Sequence, residues 1–556
     1  GDFACLTTFE HRGEDYRLDA QFQIDREQLL AGRQATLAIR TAVILGDAQI
    51  PPDLLEIEQP KLTIVSKTID GISTTREFTA EDGLKFDAKR VATQVFTVPE
   101  RVIELTATLT GKVENLAAGG EKKDLSASRA WHLNGIDKTA AVYDGHLAKV
   151  GDHYVFELLG KDGEAWANQQ VVFQFHHRDF NNALTIPLRT NDNGRIALGP
   201  LGGIASLSVN LGANLARTWP FEADAALRPN EIHGKTGDVL LVPWFGENAP
   251  LRREEVSLFE QRGGTFVADH FDALSLGNGY LQIKGLPAGD YELFLRDGAE
   301  RTSLTVKVTA GSVVGAWLLS DVRNLQVRDP APLQIEGVET AQDGIAIQLR
   351  NANAFTRVHV AADRFVPEAA WRLSSGLSSF ERFNPASAAS ARRPNLFVSG
   401  RAIGDEYRYI LDRRYSKIYP GNMLTRPGLL LNPWEVRETN QAGQNIQQAE
   451  NLSRARGDRN AAAPAAGAIV PAAPSTQGET ESNLDFLANA APTLYNLQPD
   501  KDGIVRIDRK ALGDREFIQV YAENLQDAVW RSVALPEAGA KFRDLRLARN
   551  LDPQKT

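Results

Sequence analysis

The chain has 556 residues, 42% of them hydrophobic and 24% charged, the balance of folded globular protein rather than of a disordered chain. That length exceeds what one core fills and predicts roughly three to five domains. A net charge of -9 argues against nucleic acid as the partner, since phosphate binding needs clustered cations, and a lone cysteine, Cys5, rules out an intrachain disulfide or a cysteine-based zinc site.

Residues 1–135 read as one β-sandwich. Ala35–Val43 and Leu62–Val65 are strand-like, and Val102–Leu109 alternates apolar and polar residues as a half-buried strand does. Residues 136–228 have the densest pattern. His153–Leu159 leads into a turn at Gly160–Gly163, Val171–Phe175 and Ala183–Leu188 follow, and an Asn193-Gly194 hairpin returns into Arg195–Gly199, the rhythm of an immunoglobulin-like sandwich. Residues 229–312 form a third sandwich, prealbumin-like or Ig-like, closed by Tyr291–Arg296 and Ser303–Val308. Residues 313–440 begin with Gly344–Leu349 and Arg357–Val360 and pass into an Arg/Tyr-rich segment. A polar helix (441–457) and an Ala/Pro-rich flexible linker (460–482) occupy 441–482. Ile504–Ile507 and Phe517–Tyr521 then predict a small, truncated β unit over 483–556. The fold class is mainly β: tandem antiparallel sandwiches with a short polar helix and a linker near the C-terminus.

The phrases Leu188–Leu201, with Thr190-Asn191-Asp192-Asn193-Gly194-Arg195-Ile196 at their centre, and Gly285–Leu293 resemble the macroglobulin-like and bacterial Ig-like sandwich domains of large alpha-2-macroglobulin-type surface proteins. The resemblance covers residues 1–312. It implies a non-thioester member, because the Cys-Gly-Glu-Gln motif of covalent protease trapping is absent and Cys5 is followed by Leu6-Thr7-Thr8. It also implies a secreted, cell-surface or periplasmic bacterial protein. No apolar run approaches the ~20 residues of a spanning helix. A chain opening on Gly1-Asp2 without a leader reads as a piece of something longer, with further domains of the same chain among its expected partners.

Candidate chemistry is sparse. Asp500-Lys501-Asp502-Gly503 opens like a calcium loop, but Ala511 stands where the twelfth-position carboxylate is needed, so a hairpin turn is the better reading. His176, His177 and Asp179 suggest a metal site, yet adjacent strand residues point to opposite faces. No nucleophile elbow, phosphate loop, dinucleotide fingerprint or His-Glu-x-x-His is present, so neither an enzyme nor a cofactor is expected. Residues 392–426 hold seven Arg and one Lys against two Asp and one Glu, a local +5 in an acidic chain. Within the segment 392–434, Arg401, Tyr407, Arg408, Tyr409, Arg413, Arg414 and Tyr415 are residue types that dominate recognition surfaces. They are candidates either for gripping a protein, peptide or glycan, or for packing a domain junction. The expected function is a non-enzymatic scaffold that spaces or docks domains. A recognition module, or an accessory to a catalytic domain elsewhere, is the alternative. The linker invites comparison with a protease bait, and ordinary interdomain linkers look the same.

Overall fold

The computed structural model describes residues 15–368, 385–389, 409–410, 413–414, 482–537 and 542, except 47, 51–56, 87–90, 116–119, 135–141, 213–214, 222–223, 247–249, 297–301, 328–330 and 342. The predicted helix at 441–457 and the linker lie outside these residues, apart from Ser482. The chain divides into two compact units, one of residues 12–390 with 478–556, the other of 1–11 with 391–477. In the smaller unit only Tyr409, Ile410, Arg413 and Arg414 are described, all helical.

The larger unit is built of two-sheet sandwiches. The first contains Tyr16–Gln23 (β1), Gln34–Leu45 (β2), Ala48–Ile50 (β3), Glu58–Thr68 (β4), Ser73–Phe78 (β5), Ala92–Thr97 (β6), Val102–Asn115 (β7) and Glu121–His132 (β8). β2 pairs with β1, β3 and β6, and the facing sheet runs β5-β4-β7-β8. Along β7 the apolar residues alternate as the sequence predicts: Leu105, Ala107, Leu109 and Val113 are fully buried between the sheets. The second sandwich contains Tyr143–Val150 (β9), His153–Gly160 (β10), Gln170–His177 (β11), Leu184–Arg189 (β12), Arg195–Gly199 (β13), Ile204–Gly212 (β14) and Leu215–Pro220 (β15). Its sheets are β13-β10-β9 and β12-β11-β14-β15. Phe156 fills its centre, edge-on to Phe173 and Trp219.

After the short Ala225–Ala226 (β16), the third sandwich contains Glu231–Lys235 (β17), Val239–Pro243 (β18), Val256–Arg262 (β19), Thr265–Asp269 (β20), Leu274–Gly277 (β21), Tyr280–Lys284 (β22), Gly289–Leu295 (β23) and Thr302–Thr309 (β24). Its sheets are β18-β22-β21 and β17-β24-β23-β19-β20, with β17 running parallel to β24. Ser312–Val314 (β25), Trp317–Leu319 (β26) and Arg323–Gln326 (β27) form a small sheet beyond it.

The fourth sandwich is discontinuous in sequence. Gln334–Ala341 (β28), Gly344–Arg350 (β29) and Arg357–Asp363 (β30) come first. Ser387–Ala389 (β31) then pairs with β27, away from the sandwich. Thr493–Leu497 (β32), Ile504–Asp508 (β33), Phe517–Glu523 (β34) and Ala528–Ala534 (β35) return to complete sheets β28-β29-β33 and β16-β35-β34-β30-β32. The strands expected to make a separate unit over 483–556 are thus paired with those of 334–363. The order also repeats the second sandwich, strand for strand: β33-β29-β28 matches β13-β10-β9, and β32-β30-β34-β35 matches β12-β11-β14-β15.

The glycine turns at Asn193-Gly194, Gly285–Gly289 and Asp502-Gly503 are present, but these three are not hairpins. β12 and β13 lie in opposite sheets, as do β22 and β23, and β32 and β33. Each turn carries the chain across its sandwich. Two of them share one hydrogen-bond pattern. Asn191 Oδ1 accepts from the amides of Asn193 (3.0 Å) and Arg195 (2.9 Å), and Asp500 Oδ1 accepts from those of Asp502 (3.0 Å) and Ile504 (2.9 Å). The following glycine, Gly194 or Gly503, sits at φ 72° or 76° and accepts through its carbonyl from Leu158 or Leu349 on the neighbouring strand, at 2.8 Å each. A Cβ at either position would meet that strand's carbonyl oxygen at 2.8 or 2.6 Å. Only glycine combines the positive φ with this close approach.

Candidate interaction region

Between β30 and β32 the chain makes a long excursion from the fourth sandwich, and both of its ends are built into a junction with the first two. At the exit, the amides of Arg364 and Phe365 donate to Glu27 Oε1 (2.8 and 2.7 Å), and that of Val366 to the Leu147 carbonyl (2.6 Å). Arg217, paired with Asp144 at 2.6 Å, also reaches Glu368 at 3.3 Å. At the return, Arg26 donates twice to the Ser482 carbonyl (2.6 and 3.0 Å), Arg33 to that of Ala488 (2.9 Å) and Gln28 to that of Ala491 (3.1 Å). Asp485 accepts from the Ala31 amide (3.3 Å) and from Asn134 (3.1 Å). Leu30, Ala148, Leu159, Phe365, Leu484, Phe486 and Leu487 form one apolar cluster among these bonds. His146 stacks on Phe365 and meets the edge of Phe486, with ring centroids 4.8 and 5.6 Å away, and burial pushes its pKa down to about 4.

An ionic network runs through the same junction. The Arg364 guanidinium, 3% exposed, donates to Glu516 (2.5 Å) and to Glu157 (3.3 Å) on β10, and Glu157 in turn pairs with Arg195 (2.8 Å) on β13. Arg515 lies 3.1 Å from Glu27. Burial raises the carboxyl pKa of Glu27 even with Arg515 beside it. Asp363 is raised further, first by burial and then by the nearby carboxylates of Asp25 and Glu27, while Gln519 donates to it at 2.8 Å. A buried network of this kind gains little net stability from its ion pairs, because desolvation offsets the attraction, but removing one member is costly. It therefore acts as a geometric key that fixes how the three sandwiches meet around the excursion's ends.

Of the residues predicted to bind a partner, Tyr409 is buried at 8% exposure, whereas Arg413 and Arg414 are exposed. Arg401, Tyr407, Arg408 and Tyr415 lie outside the described residues. The His176–Asp179 group has other work. His177 Nδ1 accepts the Asp179 amide at 3.1 Å, Asp179 pairs with Arg296 of the third sandwich, and His176 is exposed. At Asp500, Oδ1 closes the turn and Oδ2 takes Arg506 (2.5 Å). Among the described residues no cluster of His, Cys, Asp and Glu has the geometry of a metal site, and no helix is long and apolar enough to cross a membrane. Sequence reasoning missed the junction. Its only trace is charge pressed against strand ends, as in Asp363-Arg364-Phe365 and Asp514-Arg515-Glu516-Phe517.

A family model described as the AbpF third immunoglobulin-like domain matches residues 25–139, which hold β2 to β8, so an Ig-like character for the first sandwich rests on both sequence and architecture. Actin-binding protein F of Dictyostelium discoideum is 27% identical over 586 residues, covering 99% of this chain and 24% of that protein. The chain thus spans about a quarter of the length of this relative. Among solved structures, alpha-2-macroglobulin of Escherichia coli activated by porcine elastase aligns over 93% of this chain and 44% of its own, at 11% identity and a TM-score of 0.26. A tetra-tandem repeat from the extending region of a large adhesion protein aligns over 68% of this chain and 88% of its own, at 13% identity and a TM-score of 0.14. Superpositions this loose carry no argument about function.

Proposed function

We propose that the chain is a non-catalytic run of Ig-like sandwiches that holds a recognition segment, residues 369–481, as an excursion from its fourth sandwich. The observation that carries this reading is the junction. Residues 364–368 and 482–491 are fastened to the first two sandwiches by hydrogen bonds, some of them buried, so both ends of the segment are held at one junction. Arg401, Tyr407, Arg408, Tyr409, Arg413, Arg414 and Tyr415 belong to that segment. The exposure of Arg413 and Arg414 supports them as contacts, and the burial of Tyr409 supports it as a packing residue. The partner is a protein, and the relative's name makes actin the first one to try. The divisions near 135, 228 and 312 stand as part of this proposal; placement in an extracytoplasmic macroglobulin-type protein without a thioester is the alternative to an actin partner, and retention by actin filaments would count against it. The test compares the intact chain with an Arg413→Glu/Arg414→Glu variant of equal melting temperature. Both are used for capture from native extract with partners identified by mass, and for co-sedimentation with purified actin filaments. A partner held by the intact chain and lost by the variant supports the reading. Equal retention, or nothing held by either, removes the segment as the binding site.

A second reading, that the Ala/Pro-rich stretch 460–482 is a site of regulated cleavage, is favoured by its place inside an excursion whose two ends are pinned. Limited proteolysis that spares this stretch would sink it.

A further inference from the structure

His233 projects from β17 with its side chain fully buried. Its Nδ1 lies 2.7 Å from the Gln326 carbonyl oxygen and its Nε2 lies 2.5 Å from Glu231 Oε1. Both neighbours are acceptors. Although burial pushes the Glu231 pKa up, hydrogen bonds from Lys307 (2.7 Å) and His233 hold it below the usual carboxylate range, so Glu231 is an anion here. An imidazole has one N–H when neutral and two when protonated, so only the imidazolium satisfies this arrangement. The other charges around it are Lys307 on β24, Arg323 on β27 paired with Asp290 on β23, and Arg228, which donates to the Pro243 carbonyl (2.7 Å).

Gln326 is the link to the excursion. Its amide donates to the Ala386 carbonyl and its side-chain oxygen accepts the Ala386 amide, both at 2.9 Å, just ahead of β31. The contact also walls a cleft of about 180 Å³ bounded by Pro229, Leu240, Val242, Pro332 and Pro385. We propose that His233 is a proton-dependent latch fastening the third sandwich to β27 and, through Gln326, to the part of the excursion that contains β31. When the ring loses a proton, the remaining N–H stays with the Glu231 carboxylate, the stronger acceptor. A bare nitrogen lone pair then faces the Gln326 carbonyl, a half-buried acceptor left without this donor, and the small sheet loosens from β17.

Amide hydrogen exchange on the intact chain between pH 5.5 and 8.5, corrected for intrinsic rates, tests the latch. Protection of residues 323–327 and 386–389 is expected to fall by up to about tenfold as pH rises, the scale of one orphaned, half-buried acceptor. β19, in the core of the same sandwich, should stay level. His233→Gln, which keeps a donor without a titratable proton, should abolish the pH dependence. Glu231→Gln, which lets a neutral ring satisfy the site, should weaken it. Wild-type protection that does not change with pH overturns the proposal whether or not the variants fold, and so does an undiminished pH response in His233→Gln.

Discussion

Replacing Glu27 with alanine is expected to destabilise the chain by about 3–5 kcal/mol, far more than its place in a single 3-10 turn suggests. The side chain is 3% exposed, and its Oε1 is the acceptor for two backbone amides, those of Arg364 and Phe365, at the point where the fourth sandwich gives way to the excursion. Truncation leaves both amides unpaired, at about 1–3 kcal/mol each before relaxation, and leaves Arg515 buried without its carboxylate. Glu27→Gln separates shape from charge. A neutral isostere still offers an oxygen to the two amides but, like alanine, leaves Arg515 buried without its carboxylate, so its cost should fall between those of Glu27→Ala and the surface control. Arg101→Ala, which breaks the exposed Arg101–Asp70 pair, is the surface control and should cost under about 1 kcal/mol. The assay is urea unfolding of the three variants, with hydrogen exchange at 364–366 and 489–491 to locate the loss. If Glu27→Ala falls within about 1 kcal/mol of Arg101→Ala, the junction is not a structural key and the reasoning fails.

Acid should weaken the same junction at His146, and the fourth sandwich at His359, which packs between Tyr495 and Tyr521. Burial pushes His146 down to about 4 and His359 down to about 3, so their contribution is intact above the ordinary imidazole range and is lost as pH falls through it, with His146 alone worth roughly 3 kcal/mol. A melting temperature that stays flat from pH 7 to 4 would contradict this. Asp363 has the opposite sign: its raised pKa stabilises the fold below the ordinary carboxylate range and loses that contribution as pH rises, so Asp363→Asn should be more stable than wild type at pH 8 and not at pH 3.5. Gly194→Ala and Gly503→Ala should each cost about 2–3 kcal/mol, against about 1 kcal/mol for Gly151→Ala, which has a positive φ but open space around it. Three equal losses in chemical denaturation would show that the cross-sandwich carbonyls do not matter. Finally, cleavage at a protease site engineered into 460–482 should leave one particle by gel filtration and two bands in detergent, because β32–β35 remain paired with β28–β30. Separate elution under native conditions would refute the pairing.

The strands were legible because their signal is local. The alternation at Val102–Leu109 becomes the buried and half-buried alternation of β7, and Phe517–Tyr521 becomes β34. The turns were legible as backbone and not as connections. Asn193-Gly194 demands a positive φ whether the next strand pairs with the last or crosses to the opposite sheet, and that choice is made by which faces bury Ile196 and Val171. The fourth sandwich was unreadable for a different reason: nothing near Arg357–Asp363 announces that Ala361 will pair with Thr493 and Asp363 with Phe517. Nor does the sequence mark which acidic residues will be buried, since Glu27 and Glu516 look like any other carboxylates until three domains meet around them. Of the Arg/Tyr segment's candidate residues, those described are Tyr409, which is buried, and Arg413 and Arg414, which are exposed.

The discontinuity of the fourth sandwich sets a timetable for synthesis. The first three sandwiches close in turn as each leaves the ribosome, because every strand they need lies within one continuous stretch. The fourth has only β28–β30 until residue 493 appears, and it lacks β35 until residue 534. At about 5–20 residues per second the unfinished half waits for roughly 6–30 seconds with both of its sheets short of strands. Closing so long a loop also costs about 2–3 kcal/mol more than closing a turn-sized one. During that interval β30 presents Val358 and Val360 without the β34 that later covers them, so the nascent chain has a window in which a chaperone, or a second nascent copy, can find an open strand edge.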